Sequence, residues 1–225
     1  MFYLVKYLGD EEMKLTLIYD NTCINDELES DWGFAALLEK GGRKLLFDTG
    51  ANGRILLDNM AKLNIAPKNI DEVFISHHHY DHTGGLSSFL NQNNDVIVYA
   101  PPSFRGVKNV KELKYIDEAT DLGDGFYSTG ELENIEQSLA IKTDKGLVVI
   151  AGCSHQGIPQ ILNVSKQFGN LYALVGGFHG FNKYEVLEPL SLVCPTHCTQ
   201  HIKEIKQKYP DKYVEGGVRK ILEID

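Results

Sequence analysis

The sequence predicts a layered α/β domain, with helices packed on sheets, and three observations carry that reading. Strand-like and helix-like hydrophobic periods alternate along the chain, turn residues separate them, and histidines gather just after the predicted strands. The opening is rich in strands: residues 14–19 alternate, 34–38 are apolar, and 44–47 run into the turn Asp48-Thr49-Gly50. Over residues 53–63, Ile55, Leu56, Met60 and Leu63 recur near a 3.6 period, which predicts a helix ended around Asn64 and Pro67. A buried strand over 72–75 follows, then a helix over 84–91 and a strand over 95–99 stopped by Pro101-Pro102.

Residues 103–125 are polar and irregular, with Lys108, Lys111 and Lys114 spaced along them, and read as a solvated loop or short helix. Strands over 138–143 and 147–151 flank Asp144-Lys145-Gly146, a hairpin signal. A helix over 157–167, strands over 171–175 and 190–194, an amphipathic helix over 199–209 capped by Thr199, and a last strand over 218–224 complete the pattern. No repeat, low-complexity tract or linker divides the chain, so residues 1–225 read as one domain, with 1–12 as an extra N-terminal strand or a start-site alternative to Met13.

Composition narrows the class. Of the 225 residues 43% are hydrophobic and 24% charged, which excludes disordered, collagen-like and disulfide-scaffold builds. A formal charge of -9 repels phosphate backbones, so nucleic acid is not the expected partner. No apolar run approaches the roughly 20 residues that cross a bilayer, and the expected compartment is the cytoplasm. Cys23, Cys153, Cys194 and Cys198 show no disulfide ladder and read as reduced, buried thiols. The sequence leaves the oligomeric state open.

The chemistry lies in the histidines. In Ser76-His77-His78-His79-Tyr80-Asp81-His82, residues two apart in an extended segment share a side, so His77, His79 and Asp81 can converge, with His82 following from the turn. Three imidazoles and a carboxylate in six residues exceed what one tetrahedral ion takes from one loop, so two neighbouring divalent ions are expected, zinc first, with manganese or iron as the other candidates. His155 follows the strand ending at Ala151, and His197 follows Pro195 just ahead of a helix. Both read as ligands. His201, four residues on, reads as a partly exposed helix histidine. Asp48 either orients a ligand histidine or stabilises its own turn, and Asp20 and Asn21 end a strand on a possible substrate rim.

The motif His77-x-His79-x-Asp81-His82, preceded by Phe47-Asp48-Thr49-Gly50, resembles the metallo-β-lactamase-fold superfamily. Tyr19-Asp20-Asn21-Thr22, Gly33-Phe34, Gly152-Cys153-Ser154-His155, Gly176-Gly177-Phe178-His179 and Pro195-Thr196-His197-Cys198-Thr199 are similar to the branch that includes the dihydropterin-ribofuranosylaminobenzene 5'-phosphate synthases. The resemblance implies an αββα sandwich, two mixed β-sheets flanked by helices. It also implies that His77, His79 and His155 hold one metal, and that Asp81, His82 and His197 hold a second. Many members bridge their metals with a carboxylate where this chain has His179. A neutral imidazole has one free lone pair and cannot bridge two cations, so His179 is left as a single-metal ligand, a holder of a substrate phosphate or carboxylate, or a proton donor.

A dinuclear centre of this kind activates water near neutral pH, with Asp81 and His179 the side chains expected at the reaction. The expected activity is hydrolysis of a small anionic substrate, a phosphoester, diphosphate or related compound, by a hydroxide held at the metals. The branch resemblance implies an alternative, condensation of a dihydropterin diphosphate with an aryl amine. A non-catalytic metal- or ligand-binding sensor is the third reading.

Overall fold

Apolar alternation along β1 (Met13–Tyr19) sends Met13, Leu15 and Leu17 to one face and Ile18 to the other, so the strand has a core on both sides. This computed structural model describes residues 12–25 and 27–225; the leader strand expected over 1–12 lies outside them, Glu12 apart. Around β1 a seven-stranded sheet forms from β2 (Ala35–Lys40), β3 (Arg43–Phe47), β4 (Glu72–Phe74), β5 (Ile97–Ala100), β6 (Glu112–Tyr115) and β13 (Ile221–Ile224), in the order β13-β1-β2-β3-β4-β5-β6. A six-stranded sheet, β12-β11-β10-β9-β8-β7, is built from β7 (Thr120–Gly123), β8 (Phe126–Ser128), β9 (Leu139–Thr143), β10 (Gly146–Ala151), β11 (Leu171–Gly177) and β12 (Leu192–Thr196). Both sheets are mixed. In the first, β3, β4, β5 and β6 run parallel; in the second, β10, β11 and β12 do.

Three apolar layers hold the sandwich together. Between the sheets, Leu15, Leu17, Phe47 and Phe74 meet Val148, Ile150 and Val175. On the outer face of the first sheet, Ile55, Leu56 and Met60 of α1 (Gly53–Lys62) and Leu86 and Phe89 of α3 (Leu86–Gln92) cover Ile18, Leu37, Leu46 and Val73. On the outer face of the second, Ile158, Ile161 and Leu162 of α4 (Ile158–Ser165) and Ile205 of α5 (Ile202–Lys208) cover Val149, Leu174 and Val193. Each of these buried side chains contributes about 1.5–3 kcal/mol of transfer free energy. The chain thus has the expected αββα architecture.

Local departures have local causes. The polar stretch expected to be a loop or short helix contains the two edge strands β6 and β7, partly exposed and bearing charged side chains that hide the strand period while protecting a sheet edge. Thr199 does not cap the last helix. Its Oγ1 donates to Thr196 O and accepts from Phe178 N, and α5 starts three residues later with no side-chain cap. A short helix, α2 (Tyr80–Thr83), precedes α3. It lies so close to the loop after β3 that a Cβ on Gly84 would sit 2.1 Å from Ala51 O, and one on Gly85 2.2 Å from Thr49 O. Only glycine permits that approach.

Candidate metal centre

Strand direction brings the candidate residues together. β1 is antiparallel to β2 and β2 to β3, so β1, β3 and β4 end at one edge of the first sheet, where Asp20, Asp48 and His77 follow them. The parallel strands β10, β11 and β12 end at the facing edge of the second sheet, where His155, His179 and His197 follow. Loops after parallel strands are the usual place for such groups.

Two donor groups result. One ligand atom each from His77, His79 and His155 lie mutually within 4.8 Å; so do one each from Asp81, His82, Cys153 and His197. The groups are adjacent, with the His77 and His82 rings 4.2 Å apart. His77 and His79 share a side as expected from an extended segment, but Asp81 does not join them. At Tyr80 the chain turns into α2, which delivers Asp81 and His82 together to the second group.

Several contacts aim the imidazoles inward. Asp48, fully buried, accepts from Ser76 N at 2.7 Å and Ser76 Oγ at 2.6 Å, and its Oδ2 lies 2.7 Å from His82 Nδ1. Because Ser76 Oγ spends its proton on Asp48, it must accept from His77 Nδ1 at 2.9 Å, leaving the His77 Nε2 lone pair facing the centre. Asn21 Nδ2 donates to His197 O and its Oδ1 accepts from Gly33 N, so Oδ1 also accepts from His197 Nδ1 at 3.0 Å. Every known Nδ1 partner is therefore an acceptor, the arrangement typical of metal-binding histidines.

The atoms left over fit a metal. His77 Nε2 and His155 Nε2 are buried and have no hydrogen-bond partner among the described residues. His82 Nε2 and His197 Nε2 face each other at 3.2 Å, with Asp81 Oδ2 3.3 Å from the latter. Two ring nitrogens that close need a positive charge between them, a proton or a metal ion. Imidazole, carboxylate and thiol together suit zinc and related divalent ions.

The electrostatics have the same origin. Burial, then the crowd of neighbouring imidazoles, pushes His77 far down and His155 to about 4. Burial also lowers His197, whereas for His82 burial opposes charge but Asp48 outweighs it and pushes the value up. Asp81 is partly buried, yet His197 and His82 hold its carboxyl well below the usual range.

Other expectations resolve differently. His179 is exposed, lies outside both groups, and sits with its ring 5.1 Å from that of His155. Asp20 is 1% exposed and bonded to Thr196 Oγ1 and His197 N, so it supports the His197 turn and forms no substrate rim. Asn21 has the same inward role. His201 pairs loosely with Glu204 on α5 and stays outside both groups. Cys153, read from the sequence as a plain buried thiol, stands with Sγ 3.2 Å from His82 Nε2; its place two residues before His155 was the available signal. Glu136 is fully buried and accepts from Cys153 N, Ser154 N and His155 N, and no sequence pattern marked it. Trp32, also unmarked, donates Nε1–H to Asp81 Oδ2 and rests its ring against His197.

Known proteins share the fold that carries this site. The family model described as the metallo-beta-lactamase superfamily matches residues 33–153. The chain is 27% identical to the 7,8-dihydropterin-6-methyl-4-(beta-D-ribofuranosyl)-aminobenzene-5'-phosphate synthase of Methanocaldococcus jannaschii, over 82% of this chain and 86% of that one. It superposes on a solved metal-dependent hydrolase of the beta-lactamase superfamily with TM-score 0.79 and 25% identity, covering 95% of this chain and 99% of the other. A diphosphatase from the PhnP family has TM-score 0.63 at 15% identity, covering 95% and 97%, and shares the fold.

Proposed function

The chain belongs to the metallo-beta-lactamase superfamily, and on that premise we propose that it is a metal-dependent hydrolase of a small anionic substrate, a phosphoester, diphosphate or related compound. The observation that carries the reading is the pair of adjacent donor groups whose ring nitrogens His77 Nε2 and His155 Nε2 are buried and without a partner. His77, His79 and His155 hold one divalent ion, and Asp81, His82 and His197 a second, zinc before manganese or iron. Bound there, such ions supply Lewis acidity toward a phosphoryl or carbonyl oxygen and activate water at neutral pH.

The chain's own groups do the rest. Asp48 and Asn21 hold the tautomers that present His82 and His197. Trp32 fixes the Asp81 carboxylate. His179, exposed beside His155, meets the substrate and moves a proton at its ring nitrogen. With one carboxylate among five imidazoles the loaded centre is cationic, which favours an anionic substrate despite the overall charge of -9. The four cysteines are unpaired, which supports a role in the reducing cytoplasm. No helix among the described residues is long and apolar enough to cross a membrane.

A second reading, condensation of a dihydropterin diphosphate with an aryl amine to release diphosphate, has the 27% identity to the archaeal synthase behind it. One experiment tests both. Metal-loaded protein is assayed against phosphodiesters and diphosphates, and separately against a dihydropterin diphosphate with an aryl amine, beside His77→Ala and Asp81→Ala. Turnover of the first set, with both variants depleted in metal and inactive, is the expected result. Turnover of the second set alone selects the transferase, full metal occupancy in both variants sinks the ligand assignment, and bound metal with no turnover leaves a non-catalytic sensor.

A further inference from the structure

The turn that follows β10 carries two donors two residues apart, and they serve opposite groups. His155 faces His77 and His79, whereas Cys153 faces Asp81, His82 and His197. An extended segment would put both on one side; here Ser154 adopts φ 61 and separates them. The turn is held at every residue. Glu136 Oε1 accepts from Cys153 N at 2.8 Å and Ser154 N at 3.2 Å, its Oε2 accepts from His155 N at 3.0 Å, and Ser154 Oγ donates to Gly177 O at 2.7 Å. On the far side, a Cβ on Gly152 would sit 2.3 Å from Ser76 Oγ, so the turn lies directly against the serine that orients His77.

Nothing in this arrangement is needed to bury a thiol. Cys194 does so without any support, packed among apolar side chains between the sheets. The Cys153 sulfur instead lies 3.2 Å from the ring nitrogen of His82, and that nitrogen is itself one of the facing pair. The Asp81, His82 and His197 group has three donors without it, and a fourth would fill its coordination as in a closed zinc site, leaving the open position to the three-imidazole group.

Resting on the two-ion reading above, we infer that Cys153 is the fourth protein donor of the Asp81, His82 and His197 group, so that this ion is held by one oxygen, two nitrogens and one sulfur. Glu136 is the positioning residue that fixes the sulfur there. A thiolate in the set favours zinc over manganese or magnesium, whose preference is for oxygen donors. A coordinating cation deprotonates a thiol outright, so the buried thiol need not be ionised beforehand. The two groups are then unlike: three imidazoles in one, and a mixed oxygen, nitrogen and sulfur set in the other.

The test uses cobalt(II), added to the metal-stripped chain of residues 1–225. Cobalt gives visible d–d bands in any tetrahedral site and a near-ultraviolet charge-transfer band only where a thiolate is bound. The wild type should show both. Cys153→Ala should keep d–d absorption from the three-imidazole group and lose the charge-transfer band, whereas Cys194→Ala and Cys198→Ala should retain it. A wild-type spectrum with d–d bands and no charge-transfer band, or a band that survives Cys153→Ala, overturns the assignment while leaving two-ion binding intact. Absence of all cobalt absorption would overturn the two-ion reading and this one together. Should Cys153→Ala fail to fold, X-ray absorption on the zinc-loaded wild type decides: a sulfur shell at about 2.3 Å is expected, and a shell of nitrogen and oxygen alone refutes it.

Discussion

Trp32 Nε1 donates to Asp81 Oδ2 at 2.8 Å, and that same oxygen lies 3.3 Å from His197 Nε2. An indole that is 57% exposed thus orients the carboxylate of a buried donor group. Trp32→Phe keeps a ring against His197 and deletes the donor. Its expected effect is a roughly 10-fold loss of affinity in that group, the lower end of what outer contacts contribute, with folding stability changed by no more than about 0.5 kcal/mol. Chelator competition and a urea melt on the same sample measure both; an unchanged affinity would show the contact to be incidental.

Asp48→Asn attacks the deepest support. The carboxylate accepts from Ser76 N, from Ser76 Oγ and at His82 Nδ1, and an amide nitrogen in its place would confront a donor in a fully buried site. Leaving one such group unsatisfied costs about 1–3 kcal/mol. Metal affinity should also fall about 10–100-fold, because His82 loses the acceptor that fixes its tautomer. Denaturant midpoint together with metal content per chain checks this. A destabilised protein with full metal would reduce Asp48 to a turn residue.

His179 separates ligand from substrate contact. Exposed and outside both groups, it should be dispensable for metal: His179→Ala is expected to retain both ions while turnover falls about 10²–10⁴-fold, the range typical of a lost proton donor. Plasma mass spectrometry of the variant, beside its rate, decides. Loss of one whole ion would make His179 a ligand.

Acid should weaken the metal-stripped protein. Burial lowers His77, His79, His155 and His197, with His155 at about 4, whereas the unfolded chain titrates its histidines at about 6.5. Between about pH 6.5 and 4 the unfolded chain binds more protons than the folded one, so stability falls as pH drops through that window. His82 acts the other way: Asp48 outweighs its burial and raises it, so its contribution is complete below about pH 6.5 and fades above its folded value. Among the imidazoles four are lowered and one is raised, which gives net loss in acid, offset in part because burial raises the Asp20 and Glu136 carboxyls and lets the folded chain take up protons there. The urea midpoint of stripped protein should be lower at pH 5 than at pH 7, and zinc should raise it more at pH 7, where imidazoles are free to bind. A midpoint indifferent to pH would contradict the buried-imidazole picture.

Most of the fold was legible in the chain because its strands are short apolar runs and its main helices carry a clean 3.6 period. β1, β3, α1, β10 and α4 fall within two residues of expectation. The edge strands β6 and β7 were hidden because edge positions favour charge over alternation. The short helix α2 escaped for a different reason. Four residues are too few to show a period, yet that one turn decides which group receives Asp81.

By itself the sequence determined that His77, His79, Asp81, His82, His155 and His197 would be the donors to look for, because those residue types after buried strands have little structural use there. Spacing alone did not say how they divide: the family resemblance implied the split, and only the tertiary structure shows what brings it about and adds Cys153 to the second group. Sequence spacing records separation along one strand, whereas Glu136, Trp32, Asn21 and Cys153 reach partners 17 to 176 residues away, Asn21 and Cys153 from one sheet to the other. Those pairings exist because parallel strands of both sheets end at facing edges, and no local pattern encodes which edge will face which.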